Sequence, residues 1–417
     1  MNIKLKYGHQ EIKFKIDNNS NIDFITPPPP DINTIWDNKI DFETLYEVIR
    51  NKNVDANQIT VGIAINDKTR PVPYPLLIPT LYDELLQCNI RPKNIKIYIS
   101  NGTHVPDNNL NYLELPNHLL SQYKFFHHNA QETENLVFLG FTSFNTPIIL
   151  NKSFFECDLK ISIGNIEPHH FAGYSGGVKT VAIGLAGSET IKHNHSLLLD
   201  PNSISCEYTN NKVRQDIEEI GEASGLDLAL NCVQTANQEI LRIYFDNPKS
   251  VMQEAIPFIN DLFTTKVSAK YDLVIASAGG YPKDINLYQS QKAYSNANRL
   301  LRENGKLILL AECSEGIGSE KYYDYIKNFV NPEEVIEDFL NNPFEIGKHK
   351  AFLMAKIQLK NDVYLYSIIN STIVSNCLIS PINDLDSFFS KQIPIYEKAR
   401  IAIMPNAVTT IPIVDEN

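Results

Sequence analysis

The sequence predicts an α/β protein of two domains, each with a mostly parallel sheet flanked by helices. Three observations carry that expectation. Short apolar runs alternate with amphipathic stretches of helical period along the whole chain. Several runs end in polar, glycine-bearing segments, as strands do where they pass into the loop before a helix. With 417 residues, 43% hydrophobic and 21% charged, the chain is too long for one ordinary domain and apolar enough for more than one core. We expect an N-terminal domain over 1–267 and a C-terminal domain over 268–417, with the boundary near 264–270.

In chain order, residues 3–16 read as two short strands around Tyr7-Gly8-His9, a hairpin with His9 a solvated turn residue. Pro27-Pro28-Pro29-Pro30 excludes helix and central strand and is read as an extended connector. Residues 41–51 form a helix with Phe42, Leu45, Val48 and Ile49 on its apolar side. The run 59–65 is a strand ending at Asn66-Asp67-Lys68-Thr69-Arg70, and 75–87 is a leucine-faced helix. A second strand, 95–99, leads to Ser100-Asn101-Gly102-Thr103-His104, with Pro106 as an early helix signal. A third, 159–163, leads to Gly164. Open α/β sheets bind ligands at the carboxyl ends of their strands, so Asp67, Arg70, His104 and His169 stand where a site would form. His127 and His128 are read as strand or sheet-rim residues and His118 as a loop residue. Helices follow at 211–223 and 250–263, with strands at 226–233 and 239–244. Beyond the boundary, 271–277 is a strand, 286–302 a helix carrying Tyr288, Gln289 and Lys292, and 306–311 a strand. Helices then fill 320–356, with strands at 362–369 and 401–404 around a helix at 384–391.

The stretch 164–187 concentrates chemistry. It sets His169 and His170 beside the turn Gly173-Tyr174-Ser175-Gly176-Gly177, with Lys179 two residues on and His193 and His195 downstream. Glycines let backbone N–H groups approach an anion, and a helix N-terminus adds partial positive charge. The plain alternative is a tight strand-to-helix turn with surface histidines. Val178 stands where an ATP-binding P-loop needs glycine before its lysine, which excludes that motif.

The formal net charge of −12 argues against nucleic-acid and membrane-surface binding. No stretch approaches the roughly 20 apolar residues of a membrane span. The N-terminus reads as a strand, not a signal peptide. Six scattered cysteines without a CxxC pair suit a reducing cytoplasm, each a small buried residue.

Taken together, Asp67-Lys-Thr-Arg70-Pro71, Gly102-Thr-His104, Ile166-Glu-Pro-His169, Ala172-Gly-Tyr-Ser-Gly-Gly-Val-Lys179, Asn194-His195 and the segment from Pro282 to Lys292 resemble the nickel-dependent lactate racemase family in order and spacing. The resemblance implies a racemase or epimerase of a small 2-hydroxy carboxylic acid, with the site in the cleft between domains. It implies a nickel-pincer nucleotide, a pyridinium mononucleotide with thioamide and thiocarboxylic acid groups, joined to Lys179 and ligated through nickel by His195. His104 and His169 match the acid/base pair. Arg70, Tyr288, Gln289 and Lys292 match substrate contacts. Asp67, Gly173, Ser175, Gly176, Gly177 and Phe352 match the surroundings of the cofactor, Phe352 as the aromatic group over it. Cofactor-biosynthesis proteins are implied partners, and a homodimer is left open.

The residue types suit that chemistry. Inversion by reversible hydride removal needs a base for each enantiomer's hydroxyl, which histidine supplies near neutrality. It needs a hydride acceptor that side chains cannot provide, and fixed cations for the carboxylate. Departures from the family pattern are Val105 after His104, the lack of a proline after Lys179, and a single tryptophan, Trp36, far from the motifs. They put the identity of the acid in question. Two other readings stand beside this one: a zinc hydrolase built on His169 and His195, and a carboxylate sensor of the same fold without catalysis.

Overall fold

A computed structural model describes residues 1–16, 21–27, 36, 39–104, 106–235, 238–345, 347–392 and 399–415. Residues 28–30 of the proline run and Val105 lie outside this set. The chain divides into two compact units, 30–260 and 1–29 with 261–417. This corrects the expected first domain. The N-terminal residues belong with the C-terminal unit because Asn21–Phe24 is a strand paired in parallel with Arg400–Met404.

In the unit 30–260 a six-stranded sheet runs Ile240–Asp246, Leu228–Gln234, Leu159–Asn165, Val61–Asn66, Ile95–Ser100, Phe125–His127. All neighbours are parallel except the pair Leu228–Gln234 and Ile240–Asp246. The central strands are buried on both faces, with Ile63, Ile65, Ile97, Ile99, Ile161 and Ile163 on one and Ala64 and Tyr98 on the other, as a sheet covered on both sides requires. The helix Tyr74–Gln87 seals one face with Leu77, Leu81 and Leu85, spaced four apart and fully buried. Each such side chain contributes roughly 1.5–3 kcal/mol. Counted along the chain from Val61–Asn66, the first strand lies between the second and the fourth. Strand order therefore reverses between Val61–Asn66 and Leu159–Asn165, which opens a crevice at their carboxyl ends.

The other unit holds a six-stranded, all-parallel sheet in the order Ser380–Ile382, Asp362–Tyr366, Leu301–Leu310, Tyr271–Ser277, Arg400–Met404, Asn21–Phe24. The expected hairpin is present as Asn2–Tyr7 and Gln10–Lys15, and its Ile3, Leu5 and Phe14 pack on Ile275, Ile308 and Ile403 of the sheet.

Several elements differ from expectation. Pro106 opens no helix; the crossover is a short helix at Asn117–Gln122, which places His118 in its first turn and exposed. The strand expected at 306–311 begins at Leu301, because strand pairing extends an irregular, polar lead-in that alternation alone does not mark. A short parallel pair, Thr264–Val267 with Ile411–Val414, lies where only a boundary was expected.

Candidate active site at the sheet crossover

The crevice holds a cavity in the unit 30–260. Its lining includes Asp67, Arg70, His104, His169, Lys179 and His195. Three adjacent parallel strands supply the first four from their carboxyl ends. The helix Ser188–Ser196 brings His195, and Lys179 opens the short helix Lys179–Ala182. The convergence inferred from strand ends is therefore realised in three dimensions.

Asp67 is buried and stands 2.6 Å through Oδ2 from Nδ1 of the exposed His104. Its Oδ1 accepts the Thr69 hydroxyl at 2.6 Å and the Thr69 N–H at 3.1 Å. Burial pulls the Asp67 carboxyl upward, but the hydrogen bonds from His104 and Thr69 outweigh it and hold the group below the usual carboxylate range. A proton shared with a carboxylate belongs on Nδ1, so neutral His104 has its lone pair on Nε2. His169 is set the other way. Its Nδ1 accepts the Ala172 N–H at 3.2 Å, which puts the proton of the neutral ring on Nε2. The His169 ring is sandwiched by contacts, stacked on His170 at 4.8 Å and edge-on to Phe171 at 4.8 Å.

The glycine turn contributes differently from expectation. Ser175 and Gly176 line the cavity, while Gly173 and Gly177 do not. Much of the turn's hydrogen bonding is taken up within the protein: the Gly177 N–H donates to Asn231 Oδ1 at 2.7 Å and the Ser175 N–H to the Glu167 carbonyl at 2.9 Å. Gly176 has φ +76°, and a Cβ there would stand 2.5 Å from Ile166 Cγ1. The turn is thus a close-packed support for Lys179 more than an open anion cradle, which corrects the placement of Gly173 and Gly177. Sequence reading missed its clamp, Arg214. That side chain is fully buried on the helix Lys212–Ser224, paired with Glu218, and donates to the carbonyls of Tyr174 at 3.0 Å and Gly176 at 3.4 Å.

Also missed were Ser100 and Asn165, the polar residues that close two of the strands. Both line the cavity, both are buried, and neither Ser100 Oγ nor Asn165 Oδ1 has a hydrogen-bond partner among the described residues. A buried polar atom left unpaired costs about 1–3 kcal/mol. The signal that could have found them is a polar residue ending an apolar run at a ligand-binding strand end.

The remaining calls lie in the other unit. Tyr288, Gln289 and Lys292 share the helix Leu287–Asn298, whose N-terminus is capped by Asn286 accepting from the Gln289 N–H at 2.9 Å. Tyr288 and Lys292 are four residues apart and half-buried, and Gln289 is exposed. The buried Lys350 amine donates to the Tyr288 carbonyl at 2.7 Å and lies 4.2 Å from the ring centre. Phe352 needs correction: it is buried and stacked on Phe339 at 4.7 Å, a core residue of its unit. Among the described residues no group of three or more His, Cys, Asp and Glu is placed to hold a metal ion, so the zinc hydrolase reading has no ligand set. No helix among them is long and apolar enough to cross a membrane.

The chain matches the family models for the lactate racemase N-terminal domain over residues 7–205 and the lactate racemase C-terminal domain over residues 266–412. It belongs to the lactate racemase family. Lactate racemase of Thermoanaerobacterium thermosaccharolyticum is 28% identical over 363 residues, 84% of each chain. That of Lactiplantibacillus plantarum is 26% identical over 387 residues, 90% of this chain and 88% of the relative. The solved lactate racemase apoprotein from T. thermosaccharolyticum superposes with a TM-score of 0.87 at 26% identity, covering 99% of this chain and all of that one. A Thermotoga maritima protein shares the fold, with a TM-score of 0.64 at 16% identity over 91% of this chain and all of that one. As a member of the lactate racemase family the chain is an enzyme, an isomerase.

Proposed function

We propose that this enzyme interconverts the enantiomers of a small 2-hydroxy carboxylic acid, lactate or a close relative, by reversible hydride transfer with a nickel-pincer nucleotide. The observation that carries the reading is one cavity holding two imidazoles in complementary states, beside a guanidinium and a lysine. His104 takes the substrate hydroxyl proton on Nε2, and the Asp67 carboxylate stabilises the imidazolium that forms. As the acid, His169 acts from its imidazolium, with Nδ1 protonated once the ring releases the Ala172 N–H; it gives its Nε2–H to oxygen and is left neutral with its lone pair on Nε2. For the opposite enantiomer the roles exchange: that Nε2 takes the hydroxyl proton, and the His104 imidazolium returns its own. Arg70 provides the cation for the substrate carboxylate.

The residues present fit the cofactor. Lys179 would hold the nucleotide covalently, and His195 would ligate nickel through Nε2, since its Nδ1 donates to Asn194 Oδ1 at 3.2 Å. Ser100 Oγ and Asn165 Oδ1 would meet polar groups of the bound molecules. When bound, the cofactor supplies the hydride acceptor that side chains lack. Proteins that build the cofactor are the expected partners. No disulfide joins the cysteines among the described residues, which fits a cytoplasmic setting.

The test is a panel of single-enantiomer 2-hydroxy acids, given to protein made alongside the cofactor-building machinery and checked by intact mass. The expected result is an adduct on Lys179 and appearance of the mirror image of one acid. Adduct without interconversion, with the acid still bound, would replace this reading with the sensor. No adduct and no retained nickel would remove the cofactor assignment.

A further inference from the structure

We propose that Asp216 is a positioning residue for His195, acting through Asn194 to hold the imidazole in its Nδ1–H tautomer with the Nε2 lone pair set for metal ligation. The inference rests on the reading of His195 as the nickel ligand.

Asp216 lies on the helix Lys212–Ser224 and is fully buried. A buried carboxylate is costly unless its oxygens are hydrogen-bonded. Here its partners are neutral. Oδ1 accepts the Thr142 hydroxyl at 2.5 Å, and Oδ2 accepts the Thr146 hydroxyl at 2.9 Å and the Asn194 amide at 2.8 Å. The Asn194 side chain is likewise fully buried, and the same Nδ2 stands 3.1 Å from the Val213 carbonyl. Both neighbours of that atom only accept, so it must be the NH2 group. The other end of the amide is then an oxygen, 3.2 Å from His195 Nδ1. An amide oxygen only accepts, so His195 must carry its proton on Nδ1. The lone pair of the neutral ring falls on Nε2.

A second branch leaves the same carboxylate. Thr146 Oγ1 is 2.8 Å from His193 Nδ1. Its single hydrogen goes to Asp216, so it offers His193 only lone pairs, and His193 also carries its proton on Nδ1. One buried acceptor thus orients two histidines on the helix Ser188–Ser196. Partners of this kind fix ligand tautomers in metal sites, and their loss costs about 10–100-fold in metal affinity.

The experiment reads ring nitrogen shifts of 15N-histidine-labelled protein without cofactor, near pH 8, where neutral imidazole dominates. His195 is expected as the Nδ1–H tautomer. Asp216→Leu is expected to give a tautomer mixture at His195, and in cofactor-loaded protein to speed nickel loss to a chelator by about 10–100-fold. Asp216→Asn keeps an acceptor for Asn194 and is expected to restore the wild-type tautomer. Thr146→Val is expected to alter His193 and leave His195 unchanged. Wild-type His195 as Nε2–H overturns the proposal whether or not any variant folds, and so does a folded Asp216→Leu with the tautomer unchanged. His195→Ala separates the two claims. If it still retains nickel, the ligand reading itself fails; if it loses nickel while the tautomer ignores Asp216, only the positioning role fails.

Discussion

At the carboxyl end of the Val61–Asn66 strand and its neighbours, polar groups face a cavity, and two of them, on Ser100 and Asn165, find no partner among the described residues. At the same end of the Tyr271–Ser277 strand, in the other unit, the chain closes on itself. Ser277 Oγ donates to the Lys6 carbonyl at 2.5 Å, and the Tyr281 N–H donates to the Gly8 carbonyl at 2.9 Å. Asp284 Oδ2 accepts the N–H groups of Gly8 at 2.7 Å and Glu312 at 3.2 Å, and its Oδ1 has no partner among the described residues. The His9 ring, exposed in its turn as expected, stacks on Tyr281 at 4.3 Å. Both strands have parallel neighbours on either side, and both strand ends carry glycine and charge. The strand end marks where a site can be; whether the protein satisfies its own polar groups decides whether one is.

If that contrast holds, substitutions at the two ends should fail in different measurements. The largest effect is expected from His104→Ala and His169→Ala, each lowering kcat about 10²–10⁴-fold. Their unfolding free energies in urea should stay within about 1 kcal/mol of wild type; a larger loss would mean the rings are structural. Asp284→Ala should do the reverse, lowering unfolding free energy by about 2–4 kcal/mol, because a buried and a half-buried N–H group lose their acceptor. Gly176→Ala and Gly280→Ala compare the two turns directly. Both positions have positive φ, +76° and +75°, and a Cβ at Gly280 would lie 2.9 Å from the Gly8 carbonyl oxygen. Each should cost about 1–3 kcal/mol in thermal or urea unfolding, but only Gly176→Ala should also reduce the adduct yield on Lys179 by intact mass.

The smallest effect concerns pH. Asp67 has its folded-state carboxyl held below the usual range, so the unfolded chain binds its proton more tightly. Its contribution is present above the ordinary aspartate value of about 3.9 and is lost as pH falls through the lower folded value. Asp67→Asn should therefore cost about 1 kcal/mol at pH 6 and little near pH 2. A difference that grows on acidification would reverse the assignment.

Much of this was legible in the residues. Alternating periods located most strands and helices, and the polar ends of three strands located Arg70, His104 and His169. The motif set named Lys179 and His195, and both line the same cavity. Phe352 was misjudged because an aromatic residue near a motif looks the same in sequence whether it faces a ligand or packs on Phe339. Ser100 and Asn165 carried a local signal, a polar residue ending an apolar run, but Arg214 and Asp216 carried none, since their roles depend on partners distant in sequence.

What the sequence determined by itself is the local code: which runs extend, which coil, and which chemically able side chains stand at their ends. Backbone sterics and apolar periodicity act between near neighbours and can be read that way. The tertiary structure decided the strand order that opens the crevice, the return of residues 1–29 to the C-terminal unit, and the protonation geometry of each histidine. Those follow from hydrogen bonds and sheet pairings between segments far apart in the chain, where a proton's position is fixed by whichever acceptor the fold delivers.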